Sequence, residues 1–226
     1  MPKIRVLALE ANPQKHTLPT TAAFPPNNGP ELKKHVKQYI DCAATTNDEV
    51  QDCPDVREWG DIGTWDVSNV NNMNFIFAIH RTFNEAISDW DVSRVTQMNS
   101  MFKEAKSFNT DISKWDVSNV KSMGEMFLQA QAFNQDISQW DVSRVTDFSE
   151  MFNKASAFNQ DISDWQVTSA NDMSKMFYNA KAFSHELCGA WARTKSTPNI
   201  NTKDMFLDSR GSICESAQHK RTRNVL

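Results

Sequence analysis

Glycine, tyrosine and histidine are scarce in this chain, and no cysteine falls between residues 54 and 187. Six glycines in 226 residues leave no Gly-rich phosphate loop. The five histidines (His16, His35, His80, His185, His219) are dispersed; there is no His-Glu-x-x-His pair and no nucleophile elbow. Paired carboxylates such as Asp89 and Asp91 sit side by side on an alternating segment rather than across a cleft. No enzyme is expected, and no cofactor other than, in one reading below, calcium. Positive charge is also in short supply: residues 61–186 hold 17 acidic and 10 basic side chains, a net of −7 against −4 for the whole chain. That body excludes sequence-independent nucleic-acid binding, which needs Lys and Arg to neutralise phosphates. No apolar run reaches the roughly 18 residues of a membrane helix. The opening MPKIRVLALEANPQ is broken by Arg5 and closed by Glu10, without the apolar stretch of a signal peptide.

What the chain has in abundance is one spacing. Trp65, Trp90, Trp115, Trp140 and Trp165 recur every 25 residues. Phe77, Phe102, Phe127, Phe152 and Phe177 keep the same step, as do Phe83, Phe108, Phe133, Phe158 and Phe183. A fixed period of this length marks an architecture of stacked repeats. In residues 112–136, Trp115 and Val117 alternate with Asp116, which predicts a short half-buried strand. Val120, Met123, Phe127 and Ala130 then follow at steps of three, four and three, which predicts a helix with Met126 beside its apolar stripe and Ser118 as its N-cap. Such a unit cannot bury its own apolar face, so each repeat needs both neighbours. The Met-rich stripe is read as core.

The string W-D-V-S-x-V-x-x-M-x-x-M-F-x-x-A-x-x-F-N-x-D-I-S, carried here by Trp115-Asp116-Val117-Ser118, Met126-Phe127 and Phe133-Asn134, resembles the BspA-like surface-protein leucine-rich repeat. The resemblance implies an α/β repeat: an LRR-like right-handed solenoid with one short parallel strand and one helix per 25 residues and capped ends. It also implies protein binding or adhesion at a cell surface. The pattern drifts at the edges of the array, with Ile76 and His80 in the first unit, Phe148 in the fourth, and Gln166 and Ala170 in the fifth.

Five regions follow. Residues 1–30, rich in proline from Pro13 to Pro30, read as a disordered leader. Residues 31–60 read as an N-terminal cap whose helix, 31–41, places Leu32, Val36 and Ile40 on one face. The five-repeat solenoid spans 61–187. A degenerate sixth unit, 188–214, closes the array; Trp191 and Met205-Phe206 within it, with Phe183 and Leu187 just before, imitate the repeat, and 215–226 form a basic tail. All four cysteines lie in the flanks, which favours the disulfides Cys42–Cys53 and Cys188–Cys214 and an oxidising compartment, outside the cell or at its surface. The alternatives are free buried thiols, or a zinc set from His185, Cys188, Cys214 and His219. An oxidising compartment sits awkwardly with the missing signal peptide, and no Asn-x-Ser/Thr sequon adds support.

The residues flanking Trp and Val point outward and form columns: Asp66, Asp91, Asp116, Asp141, Gln166, and Thr64, Asp89, Lys114, Gln139, Asp164. A file of carboxylates repels itself. Either each Asp fixes a turn, or Asp66, Asp91, Asp116, Asp141, Asp89 and Asp164 form an acidic strip that binds a macromolecular partner, with divalent cations such as calcium as possible helpers. The second class of function is a structural solenoid ordering cations or water, in contact with mineral or ice. The column Asn84, Asn109, Asn134, Asn159 is expected to bond the backbone of adjacent coils.

Overall fold

A computed structural model of the protein describes residues 28–43 and 60–215. Residues 1–27, 44–59 and 216–226, and with them most of the expected leader and basic tail, Cys53 and His219, lie outside the described residues.

The helix of the N-terminal cap, α1, spans Gly29–Ala43. Asn28 caps it, its Oδ1 accepting the Glu31 amide at 3.0 Å. Leu32, Val36 and Tyr39 face the first coil, with Ile40 only partly covered. The ring of Tyr39 meets Trp65 edge-on at 5.6 Å between centroids. Gly29 is required at its position, since a Cβ there would come within 2.0 Å of the Asn72 carbonyl oxygen.

After α1 the backbone returns on itself every 25 residues. A file of parallel bridges links Asn72, Gln97, Ser122, Asp147, Asp172 and Asn201. The helices expected in each repeat are not there. Among the described residues α1 is the only α-helix, and residues 123–130 and their counterparts are successive tight turns. In that ribbon Met126 donates to Met123 at 3.1 Å, Leu128 to Glu125 at 3.0 Å and Ala130 to Phe127 at 3.0 Å. Two residues per ribbon are left-handed, Glu125 (φ 57°) and Gln129 (φ 59°), as type II turns require at their third position. Ser118 is not a helix N-cap; its amide closes a turn on Asp116 Oδ1 at 3.0 Å. Nor is the Trp-Val segment the paired strand, because the bridges fall five residues beyond Val117 and its equivalents.

The ribbon holds the coils together. Met123, Glu125, Phe127 and Gln129 donate to the carbonyls of Asp147, Ser149, Met151 and Asn153, at 2.9, 2.7, 2.9 and 2.8 Å. The left-handed residues cost roughly 1 kcal/mol each, and each inter-coil bond returns about the same. Ile79 is the most strained of them, being β-branched with φ 64°. Ile79→Gly is therefore expected to raise stability by about 1 kcal/mol; a urea titration showing a loss instead would contradict the strain argument.

Inside the stack run two aromatic ladders. The phenyl rings of Phe77, Phe102, Phe127, Phe152, Phe177 and Phe206 stack at 5.3 to 5.6 Å. Phe83, Phe108, Phe133, Phe158 and Phe183 stack beside them at 5.8 to 6.1 Å. From Trp90 onward each indole of the column is also tied to the previous coil, its Nε1 donating to an isoleucine carbonyl: Trp90 to Ile62 at 2.8 Å, Trp115 to Ile87 at 3.1 Å and Trp140 to Ile112 at 3.2 Å; Trp65 donates instead to the Gly60 carbonyl at 3.1 Å.

The sixth unit is stretched. Trp191 still donates to the Ile162 carbonyl at 3.1 Å, but Asp172 pairs with Asn201 rather than with residue 197. The 3-10 helix Trp191–Ser196 takes up the extra residues. Here strand β1, Glu186–Leu187, runs parallel to β2, Ser212–Ile213. The disulfide Cys188–Cys214 fastens that pair.

Candidate binding face

The acidic columns turn out to be corner pieces. Asp66, Asp91, Asp116 and Asp141 are exposed, and each carboxylate Oδ1 accepts the amide of the serine two residues on, at 3.0 Å. Asp111, Asp136 and Asp161 do the same at a second corner, with Ser113, Ser138 and Ser163 at 2.9, 2.9 and 3.0 Å. At a third corner Asn72, Asp147 and Asp172 accept from Asn74, Ser149 and Ser174 at 2.9, 2.9 and 2.7 Å. The motif is physically apt, since an Asp or Asn side chain can mimic one residue of a backbone turn.

These donors also answer the repulsion expected of a carboxylate file. The serine hydroxyl and then its amide hold Asp66, Asp91 and Asp141 below the ordinary carboxylate range, helped at Asp91 by Arg94 and at Asp141 by Arg144. For Asp111 the Ser113 amide leads and the hydroxyl follows. The arginines reach back one coil: Arg94 Nη1 donates to Asn69 Oδ1 at 3.0 Å and Arg144 to Asn119 at 2.7 Å. Because the folded values are depressed, the stability these groups contribute is complete above the ordinary value of 3.8 and is lost as pH falls through the depressed values. The melting temperature is expected to fall as pH drops below about 4. The triple variant Asp66→Asn, Asp91→Asn, Asp141→Asn should fall less over the same acid range, and an identical acid profile would show that these carboxylates do not set it.

Asp89 and Asp164 belong to a different column. With Thr64, Lys114 and Gln139 they stand exposed between the corners, flanking the buried indoles. Asp89 also borders a groove of about 430 Å³ beneath α1, lined by Tyr39, Asp61 and Glu85. Burial, with Glu85 and Asp61 nearby, pushes the Tyr39 hydroxyl up to about 12. Sequence reading missed this groove, because Tyr39 and Glu85 come from separate elements and share no spacing.

The Asn column works within the scaffold: the amides of Asn109, Asn134, Asn159 and Ser184 each donate to the Asn Oδ1 one coil earlier, at 2.7 to 3.0 Å. Of the proposed zinc set, Cys188 and Cys214 are bonded to each other and His185 Nε2 lies 3.0 Å from the Asn159 carbonyl. Cys42 is a bridged cysteine, and its expected partner Cys53 lies outside the described residues. Among the described residues, the potential metal ligands that converge are Glu186, Cys188 and Cys214, two of which form that bridge. The Asp columns bring no three carboxylates together. No described helix is long and apolar enough to cross a membrane.

No curated protein and no solved structure matches the chain. A family model does match, twice and overlapping, at residues 46–140 and 115–214, the span over which the repeat runs. The chain belongs to the family described as Mycoplasma protein of unknown function, DUF285.

Proposed function

We propose that the protein is a non-catalytic binding module whose coils wind as a right-handed solenoid and whose exposed flat engages another protein or macromolecule at a cell surface. One observation carries this reading. The buried columns and the corner aspartates recur almost unchanged, whereas the exposed column between corners runs Thr64, Asp89, Lys114, Gln139, Asp164. Corner residues are occupied by turn geometry. The varied column changes residue type from coil to coil, so no one contact within the repeat dictates it and its chemistry can be set by a partner. Asp66, Asp91, Asp116 and Asp141 then frame the surface, offering their outer oxygens, and Asp89 and Asp164 join the contact itself. A surface location agrees with the family and with a disulfide at Cys188–Cys214.

The test uses an array of immobilised extracellular-matrix proteins probed with the purified chain. Charge reversal at Asp89→Lys with Lys114→Glu is expected to abolish whatever binding the parent shows, at least about tenfold, with the melting temperature held within about 2 °C. Binding that survives the reversal would move the contact off this face.

A further inference from the structure

The two ends of the stack are chemically different. In every interior ribbon, alternate amides point toward the following coil and meet only carbonyls there, as Met123, Glu125, Phe127 and Gln129 do. One edge of a coil is therefore all donors over this stretch and the other all acceptors. An ordinary β-strand edge alternates the two, so it would not match. The last ribbon keeps the register: Asn201, Lys203, Met205 and Leu207 accept from Met173, Lys175, Phe177 and Asn179 at 2.8 to 2.9 Å. Its outward donors are then the amides of Thr202, Asp204, Phe206 and Asp208, with left-handed φ at Asp204 (56°) and Asp208 (62°), as in the interior. Among the described residues no acceptor meets those four amides.

The opposite, acceptor end is covered. Helix α1 lies across it, with Gly29 against the Asn72 carbonyl and the Lys33 ammonium 5.2 Å from the Phe75 ring centre. At the donor end the half-buried Phe206 and Ile213 line an open groove of about 550 Å³, and Leu207 beside them is 50 % exposed.

We propose that this C-terminal end is an interaction surface that accepts a further coil of the same repeat from another polypeptide, extending the ladder. The interface already exists between successive coils within this chain, and the last described ribbon continues it: donors in the same register, and Phe206 as the last ring of the stack among the described residues. A second copy of this chain does not fit. Its donor end would set amide against amide, and its acceptor end is covered by α1. The partner is therefore a repeat-bearing chain whose first coil offers bare carbonyls at alternate residues and a phenyl ring to lie on Phe206. This surface is independent of the lateral face proposed above.

The experiment titrates the full chain into a fluorescein-labelled peptide of residues 112–136, one complete repeat, with a scrambled peptide of equal composition as control. The peptide must order on binding, which weakens affinity, so the titration runs to about 1 mM. Saturable binding of the repeat peptide alone is expected, weakened about tenfold or more by Leu207→Asp. Hydrogen exchange at the amides of Thr202, Asp204, Phe206 and Asp208 should slow in the complex, a readout that does not depend on any variant folding. Absence of saturable binding, equal binding of the scrambled peptide, or slowed exchange elsewhere but not at these amides would each overturn the proposal.

Discussion

Phe127→Ala is expected to cost about 3–5 kcal/mol of stability, the range for removing a fully buried phenyl. Phe127 is completely buried, 5.5 Å from Phe102, 5.6 Å from Phe152 and 3.9 Å from Phe133. Its loss opens a void that touches three rings at once, and the stack cannot close over it without breaking the inter-coil bond from its amide to Met151. Phe206→Ala is the comparison. Among the described residues it ends the same ladder, is only half-buried and has no ring beyond it. In an array where each coil contacts only its neighbours, an end residue lacks one of two interfaces, so this variant should lose about half as much. Urea titration of both variants checks the order; equal losses would mean that the ladder is not what sets the stability.

The second large effect is at the far end. Cys188→Ser with Cys214→Ser removes a cross-link between residues 26 apart. Chain-entropy reasoning puts that at about 3.5 kcal/mol. The position matters as much as the amount. The bridge joins β1 to β2, where the final unit is stretched and no further coil packs on it among the described residues. The double variant, or reduction of the parent protein, is expected to release β2 before the interior coils, so amides of 186–215 should exchange early while those of 98–155 stay protected. Simultaneous loss of protection along the whole stack would show that the bridge secures the array, not merely its end.

Much of this was legible in the residues. The 25-residue period, the buried Trp and Phe columns and the inter-coil Asn bonds all follow from spacing and polarity, and the corner role of Asp66, Asp91, Asp116 and Asp141 was one of two readings left open. The helix was misread for a definite reason. Val120, Met123, Phe127 and Ala130 step by three and four as a helix face does, yet a ribbon of turns with left-handed residues four apart, at Glu125 and Gln129, returns side chains to the same side at nearly the same interval. Glycine at those two positions would have revealed the turns. Glu and Gln stand there instead, because inter-coil hydrogen bonds from their amides to Ser149 and Asn153 offset the backbone strain. Such bonds span 24 residues and leave no local trace. The polarity of the coil edges was hidden for the same reason, since it depends on φ signs that side-chain identity did not announce.

Phe127 and its neighbours bond to the next coil and not along a helix. Scalar coupling across hydrogen bonds, measured by NMR on isotopically labelled protein, reads the acceptor of each amide directly. A cross-peak is expected from the Phe127 amide to the Met151 carbonyl, the pair that stands 2.9 Å apart. A cross-peak to the Met123 carbonyl, the acceptor an α-helix would supply, would contradict it.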